Sequence, residues 1–168
     1  DRKKGMKIDF IDIKRAYFHA KARRDVYVRL CDEDYEEGMC GKLEKAMYGT
    51  RDAAQNWEYE YCEFMESIGF SRGSASPCVF MNREMNVRAV VHGDDFTAVG
   101  PKKHLDWYET ALEEKYELKN GGRLGPGPSD TKELTVLNRV IRWVDSGVEY
   151  EADPRQAERL LEGRGLDG

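Results

Sequence analysis

Two placements of carboxylate put acid where apolar residues belong. Asp12 stands near the end of an Ile- and Phe-rich run over residues 6–13 and precedes what reads as a helical turn. Asp94 and Asp95 sit at the tip of a hairpin whose arms, residues 87–91 and 96–99, carry no charge except Arg88. Paired acids at such a tip repel one another unless a cation lies between them. If the hairpin and the first run are neighbours in one sheet, the three carboxylates converge at its edge. Hard oxygen ligands of that kind hold Mg²⁺, and two ions about 3.5–4 Å apart clamp an in-line displacement at phosphorus. The residue types alone leave a plainer alternative open: Asp-Asp is also a turn dipeptide, and an Asp before a helical turn is also a cap.

The elements that must position these acids follow from periodicity. Residues 6–13 read as a strand, residues 14–19 as a helical turn, and residues 26–30 as a second short strand alternating Val26, Val28 and Leu30 with Tyr27 and Arg29. From Asp52 onward, Ala53, Trp57, Tyr61, Phe64, Met65 and Ile68 recur at helical spacing and Gly69 supplies a stop, which predicts an amphipathic helix of about four turns with its aromatic stripe in the core. Strands are expected over 78–81, 87–91 and 96–99, the first two joined by the polar turn 82–86 and the last two by the tight turn His92-Gly93-Asp94-Asp95. A helix starts near Pro101 with Leu105, Tyr108, Leu112 and Tyr116 on one side. Residues 120–129, rich in Gly and Pro, read as a linker. A hairpin of residues 135–144 and 148–152 about Asp145-Ser146-Gly147 follows, then a last helix capped by Asp153 with Pro154 at its first position. The predicted class is α+β, a mainly antiparallel sheet with helices packed on one face.

Composition narrows the function. The 168 residues carry 27 Lys plus Arg against 32 Asp plus Glu, a net charge of −5, which excludes binding of nucleic acid through bulk positive charge. The distribution is uneven: residues 1–30 hold ten basic against four acidic residues, residues 31–70 three against eleven. The positive end surrounds Asp12, whereas the run 32–37 reads as a solvated loop. No secretion signal or apolar stretch of bilayer length is present, so the chain is expected to be soluble and intracellular, with no membrane partner. Cys31, Cys40, Cys62 and Cys78 lack metal-ligand spacing and read as free thiols, Cys62 and Cys78 as buried ones.

Several ordered segments together resemble the Ty1/copia-type retrotransposon reverse transcriptases. Asp12-Ile13-Lys14-Arg15-Ala16-Tyr17-Phe18-His19 followed by Val26-Tyr27-Val28 is similar to that family's first palm motif. The segment 43–57, with Lys45, Tyr48-Gly49, Ala53 and Trp57, resembles its Leu-x-Lys-x-Leu-Tyr-Gly segment and the tryptophan that follows. Gly69-Phe70, Ser76 and Pro77-Cys78-Val79-Phe80 match a further step, and His92-Gly93-Asp94-Asp95 stands where the family has Tyr-Val-Asp-Asp. Residues 115–119 match Phe-x-Met-Lys, and residues 157–161 resemble a later helix, so the likeness runs along essentially the whole chain.

The resemblance implies a reverse-transcriptase palm and an RNA-directed DNA polymerase that transfers a nucleotide from a dNTP to a primer 3′-hydroxyl. Asp12, Asp94 and Asp95 would be its metal ligands and catalytic carboxylates, with the Ile13 carbonyl as an accessory ligand, for two Mg²⁺ ions or Mn²⁺ in their place. Arg15 and Ala16 would offer N–H groups to phosphate, Tyr17 would exclude a sugar 2′-hydroxyl, and Tyr48 and Gly49 would face the incoming base and template. Lys119 is a candidate general acid for pyrophosphate, and Phe18 is expected in the core. Partners would be an RNA or DNA template with its primer, dNTP, and the remainder of a Gag-Pol-like polyprotein. The place of action would be a cytoplasmic virus-like particle or the nucleus. Residues 1–168 would form one such domain, with part of the fingers and integrase expected upstream and the completed thumb and RNase H downstream.

The departures set the competing readings. Gly93-Asp94-Asp95 is the triplet of many viral RNA-dependent RNA polymerases, which makes that activity the runner-up, although the Tyr17 ring argues against it. Asp52, Ala54 and Gln55 replace the family's Gln, Pro and Arg. A folded but inactive remnant of a retroelement is the reading from another class.

Overall fold

The computed structural model describes residues 5–137 and 139–151, together with 155, 159 and 163. Its first element is β1, Met6–Ile13, followed by a short 3-10 turn at Ala16–His19; β2 (Tyr27–Val28) and β3 (Gly41–Lys42) then form a small pair of their own. Helix α1 spans Ala53–Ser67 and is followed by β4 (Ser71–Arg72), β5 (Val79–Asn82), β6 (Val87–His92), β7 (Asp95–Pro101) and helix α2 (Lys102–Glu113). After α2 come β8 (Leu118–Leu124), β9 (Glu133–Val136), β10 (Arg139–Val144) and β11 (Gly147–Tyr150). The class is the expected one, mixed α and β with antiparallel pairing throughout the named strands.

The main sheet has the order β4-β5-β6-β7-β1-β8, so β1 lies between β7 and β8 rather than at an edge. Its two faces differ because the pleat sends alternate side chains to opposite sides. In β6, Val87, Ala89 and Val91 are buried while Arg88, Val90 and His92 are exposed; in β7, Phe96 and Ala98 are buried. The buried set meets Trp57, Tyr61 and Met65 of α1 and Leu105, Tyr108 and Leu112 of α2 in one core. Burying a side chain of that size stabilises by about 1.5–3 kcal/mol, which is what holds the helices to the sheet. α1 stops where Gly69 takes φ 85 and the Gly69 and Phe70 N–H groups return to the Glu66 and Met65 carbonyls, both at 3.0 Å.

A second core, Phe10, Leu124 and Trp143 with Ile8, Leu134, Val136 and Ile141 against it, joins the three-stranded sheet β11-β10-β9 to the other face of β1 and β8. Helices thus cover one face, and this small sheet covers part of the other.

Four expectations change. Residues 120–124 are strand, not linker: the edge of β1 supplies the pairing that the Gly-rich sequence does not advertise. A Cβ on Gly121 would meet the Phe10 carbonyl oxygen at 2.8 Å, so the approach itself requires glycine. The expected strand over 26–30 is paired only at Tyr27–Val28, because its partner β3 is two residues long. Residues 135–144 are not one strand, since the chain reverses after Val136, with Leu137 at φ 50. Cys78 is half-buried, whereas Cys62 is buried and burial pushes its thiol above the ordinary value. The helix expected from Asp153, and with it the likeness at 157–161, lies outside the described residues. No helix among the described residues is long and apolar enough to cross a membrane.

Candidate active site

The β6–β7 connection is a two-residue turn, Gly93-Asp94, between the paired residues His92 and Asp95. Gly93 has φ 64, the left-handed value that such hairpin turns reserve for glycine. Two hydrogen bonds fix the turn. The Ile13 N–H donates to the Asp94 carbonyl at 2.9 Å, and Trp57 Nε1 donates to the Gly93 carbonyl at 2.7 Å. Trp57 is 1% exposed, so the turn is tied to the centre of the core. The aromatic stripe of α1 was legible as core, but this hydrogen bond was not.

Register then sets the chemistry. His92 pairs with Asp95, Asp95 with Asp12, and Asp12 with Lys119, so four strands contribute one row in the order His92, Asp95, Asp12, Lys119. The pairing of β1 with β8 shifts by a residue between Phe10 and Ile11, and the shift brings Lys119 opposite Asp12. The row lies on the face away from the helices. A cavity of about 190 Å³ there is lined by Asp12, Asp95, Thr97 and Lys119 together with Phe10 and Val136.

Two carboxylates directly opposite one another across an antiparallel pair are destabilising when nothing lies between them. Asp95 registers the cost: burial, then the charges of Asp94 and Asp12, push its carboxyl above the ordinary aspartate value, with His92 pulling the other way. The structure therefore brings Asp12 and Asp95 together, with Asp94 beside them on the turn. Among the described residues no three His, Cys, Asp or Glu side chains are gathered into a ready metal cluster. The donor set nevertheless suits a hard divalent cation, being carboxylate oxygens whose mutual repulsion such an ion would relieve.

The strand end that carries Asp12 is braced. Lys14 N–H donates to the Glu117 carbonyl at 2.9 Å, Lys14 Nζ reaches Glu117 Oε1 at 2.9 Å, and the Arg15 guanidinium pairs with the same carboxylate. Lys14 and Arg15 hold Glu117 below the usual carboxylate range. Arg15 itself is left-handed, φ 55, and opens the 3-10 turn in which Ala16 is fully buried. Three residues before Asp12 on β1, on the helix side, Asp9 is 3% exposed and held by Arg123, Nε to Oδ1 at 2.5 Å and Nη2 to Oδ2 at 2.6 Å, while Arg123 also engages Asp106 and Glu109 of α2. Burial pushes the Asp9 carboxyl up and Arg123 draws it down, the first prevailing. Sequence reading missed this network because the partners are 114 residues apart.

Tyr17 and Tyr48 come together, their rings stacked at 4.4 Å between centroids with 28° between planes. Phe18 is not core: it is 44% exposed and sets its ring edge-on to Tyr48 at 5.4 Å, because the 3-10 turn directs it over Tyr48 at the surface. Gly49 beside Tyr48 has φ 86. Of the residues singled out by sequence, Asp12, Asp94, Asp95, Ile13 and Lys119 share one corner, and Tyr17, Tyr48 and Gly49 form a second group with Phe18.

Comparison with known proteins gives two findings. A family model described as reverse transcriptase (RNA-dependent DNA polymerase) matches residues 2–125. The retrovirus-related Pol polyprotein from transposon TNT 1-94 of Nicotiana tabacum is 28% identical over 165 residues, an alignment that covers 94% of this chain and 12% of that polyprotein.

Proposed function

The chain belongs to the reverse transcriptase (RNA-dependent DNA polymerase) family, in the form found in copia-type retrotransposons, and from that premise we propose that it is the palm of an RNA-directed DNA polymerase. The observation that carries the reading is the cross-strand pair Asp12 and Asp95 with Asp94 on the adjoining turn. Asp12, Asp94 and Asp95, with the Ile13 carbonyl, would hold two Mg²⁺ ions, or Mn²⁺ in their place. Such ions, when bound, lower the pKa of a primer hydroxyl and stabilise charge on the transferring phosphoryl group.

The protein's own groups supply position and selection. β1 and the β6–β7 turn present the carboxylates on a frame locked by Ile13 and Trp57, so little reorganisation is needed when charge develops. The Tyr17 ring, fixed by stacking on Tyr48, would fill the space beneath the sugar and exclude a 2′-hydroxyl. Tyr48 and Gly49 would face the base and template. Because the Arg15 guanidinium is engaged by Glu117, Arg15 and Ala16 would act on phosphate through backbone N–H groups. Lys119, in the same row as Asp12, would give a proton to departing pyrophosphate. Substrates would be an RNA or DNA template with primer and dNTP. The chain would work beside the integrase and RNase H parts of a polyprotein, in a virus-like particle or the nucleus.

Primer extension tests this. The purified chain with an RNA template, a DNA primer, dNTPs and Mg²⁺ is expected to extend the primer, and Asp94→Asn to abolish extension; full activity in that variant sinks the carboxylate assignment. Efficient use of NTPs, unchanged by Tyr17→Val, would favour an RNA polymerase. Absence of any Mg²⁺ dependence in stability or turnover would mark an inactive remnant.

A further inference from the structure

A second like-charge pair stands on the helix side of the molecule. Lys21 and Lys45 are partners in an isolated antiparallel bridge, which places their side chains on one side about 5 Å apart at Cβ. The Lys45 ammonium donates to the His19 carbonyl at 3.1 Å, and Lys21 has no ion pair among the described residues. A depression of about 240 Å³ beside them is lined by His19, Lys21, Lys45, Glu60, Lys115 and Tyr116. The Tyr116 hydroxyl is buried and without a hydrogen-bond partner among the described residues. A second lobe shares Lys21, Glu60 and Lys115 and adds Arg23 and Glu63. Glu60 is paired with Lys115 at 3.0 Å and Glu63 with Arg23 at 3.1 Å, so both acids are already matched and two positive charges remain over.

We propose that this two-lobed depression is a subsite for consecutive phosphates of a nucleic-acid strand, with Lys21 and Lys45 as its principal cations. An anion between the two lysines relieves their repulsion as a cation relieves that of Asp12 and Asp95. Two adjoining lobes suit a run of phosphodiesters rather than one free ion. The choice of a nucleic-acid strand rests on the polymerase reading, whereas the preference for phosphate does not.

The test is binding of a labelled single-stranded RNA to the full chain across a salt series, with inorganic phosphate as a separate probe. Lys21→Gln with Lys45→Gln is expected to weaken RNA binding roughly 10-fold and to lower the slope of log K against log salt by about 1–1.5. Lys21→Gln with Lys45→Arg, which keeps one of the two charges, should bind more tightly than the double glutamine variant, and Lys103→Gln, an exposed lysine on α2, should leave affinity and slope alone. Unchanged affinity in the double variant overturns the proposal, as does an equal loss with Lys103→Gln, which would mean bulk charge only. Perturbation of the Lys21 and Tyr116 resonances by inorganic phosphate, with RNA affinity indifferent to the double variant, also overturns it in favour of a free anion. Both lysines are exposed, and an unchanged melting temperature verifies that the variants fold. Failure of the polymerase reading shows separately, as absence of primer extension by the unsubstituted chain while the binding result stands.

Discussion

Asp12/Asp95 and Lys21/Lys45 are both cross-strand pairs of like charge, yet the frames around them differ. The acids belong to a seven-residue register between β1 and β7, with further ladders on either side, and Asp95 is half-buried. The lysines meet in a single isolated bridge and are exposed. Repulsion is costly where water is scarce and geometry fixed, and cheap where long side chains can splay into solvent. On the proposed readings, the first pair would meet an ion of defined coordination and the second a mobile, repetitive anion.

The largest expected effect comes from removing the acid pair's chemistry. Asp12→Asn should lower primer extension on the order of 10⁴-fold, about 5.5 kcal/mol in the barrier, while leaving the melting temperature within a few degrees of wild type. Single-turnover kinetics and a thermal melt read the two numbers. Next is the frame behind that pair: Trp57→Ala should cost about 3–4 kcal/mol in urea unfolding, since it empties core volume and frees the Gly93 carbonyl. Trp57→Phe, which keeps most of the volume, separates the hydrogen bond from the packing.

A smaller effect isolates repulsion. The folded Asp95 carboxyl lies above its ordinary value of 3.8, so the native state holds that proton more tightly than the unfolded chain. Stability from this group therefore falls as pH rises through the window between 3.8 and the raised value, and the penalty is complete above it. Without divalent cation, Asp95→Asn should stabilise the protein at pH 7 by about 0.5–1 kcal/mol, an advantage that fades as the pH is lowered into that window. Added Mg²⁺ should reverse the order of wild type and variant; if the variant is less stable even in chelator, the repulsion is not what raises Asp95. Smallest is the exposed pair: Lys21→Glu, which turns it into opposite charges, should gain about 0.2–0.5 kcal/mol at low salt and nothing in concentrated salt.

Much of the acid corner was legible in the sequence because it depends on local pattern. The alternation of β6, the glycine before Asp94, and the helical spacing of Trp57, Tyr61 and Met65 each declare their element within a few residues. What stayed hidden depends on partners remote in the chain. Leu118–Leu124 carries Asn120, Gly121 and Gly122, which have weak strand preference, and it is a strand because β1 offers an edge. Arg123 is an ordinary surface residue until Asp9 is placed opposite it. Lys21 carries no signal in the sequence and Lys45 only its place in the segment 43–57, and only a bridge across 24 residues makes them a pair.

The position of β1 also has a consequence in time. Synthesis makes Asp12 before its neighbours across the sheet, Asp95 and Lys119, which follow more than 80 residues later. At roughly 5–20 residues per second, β1 waits at least about 4–16 s for its first partner with both edges bare. An Ile- and Phe-rich strand in that state is prone to pair with the wrong chain. Chaperone cover during translation, and a short ribosomal transit between Asp12 and Asp95, should therefore govern how much of the protein folds.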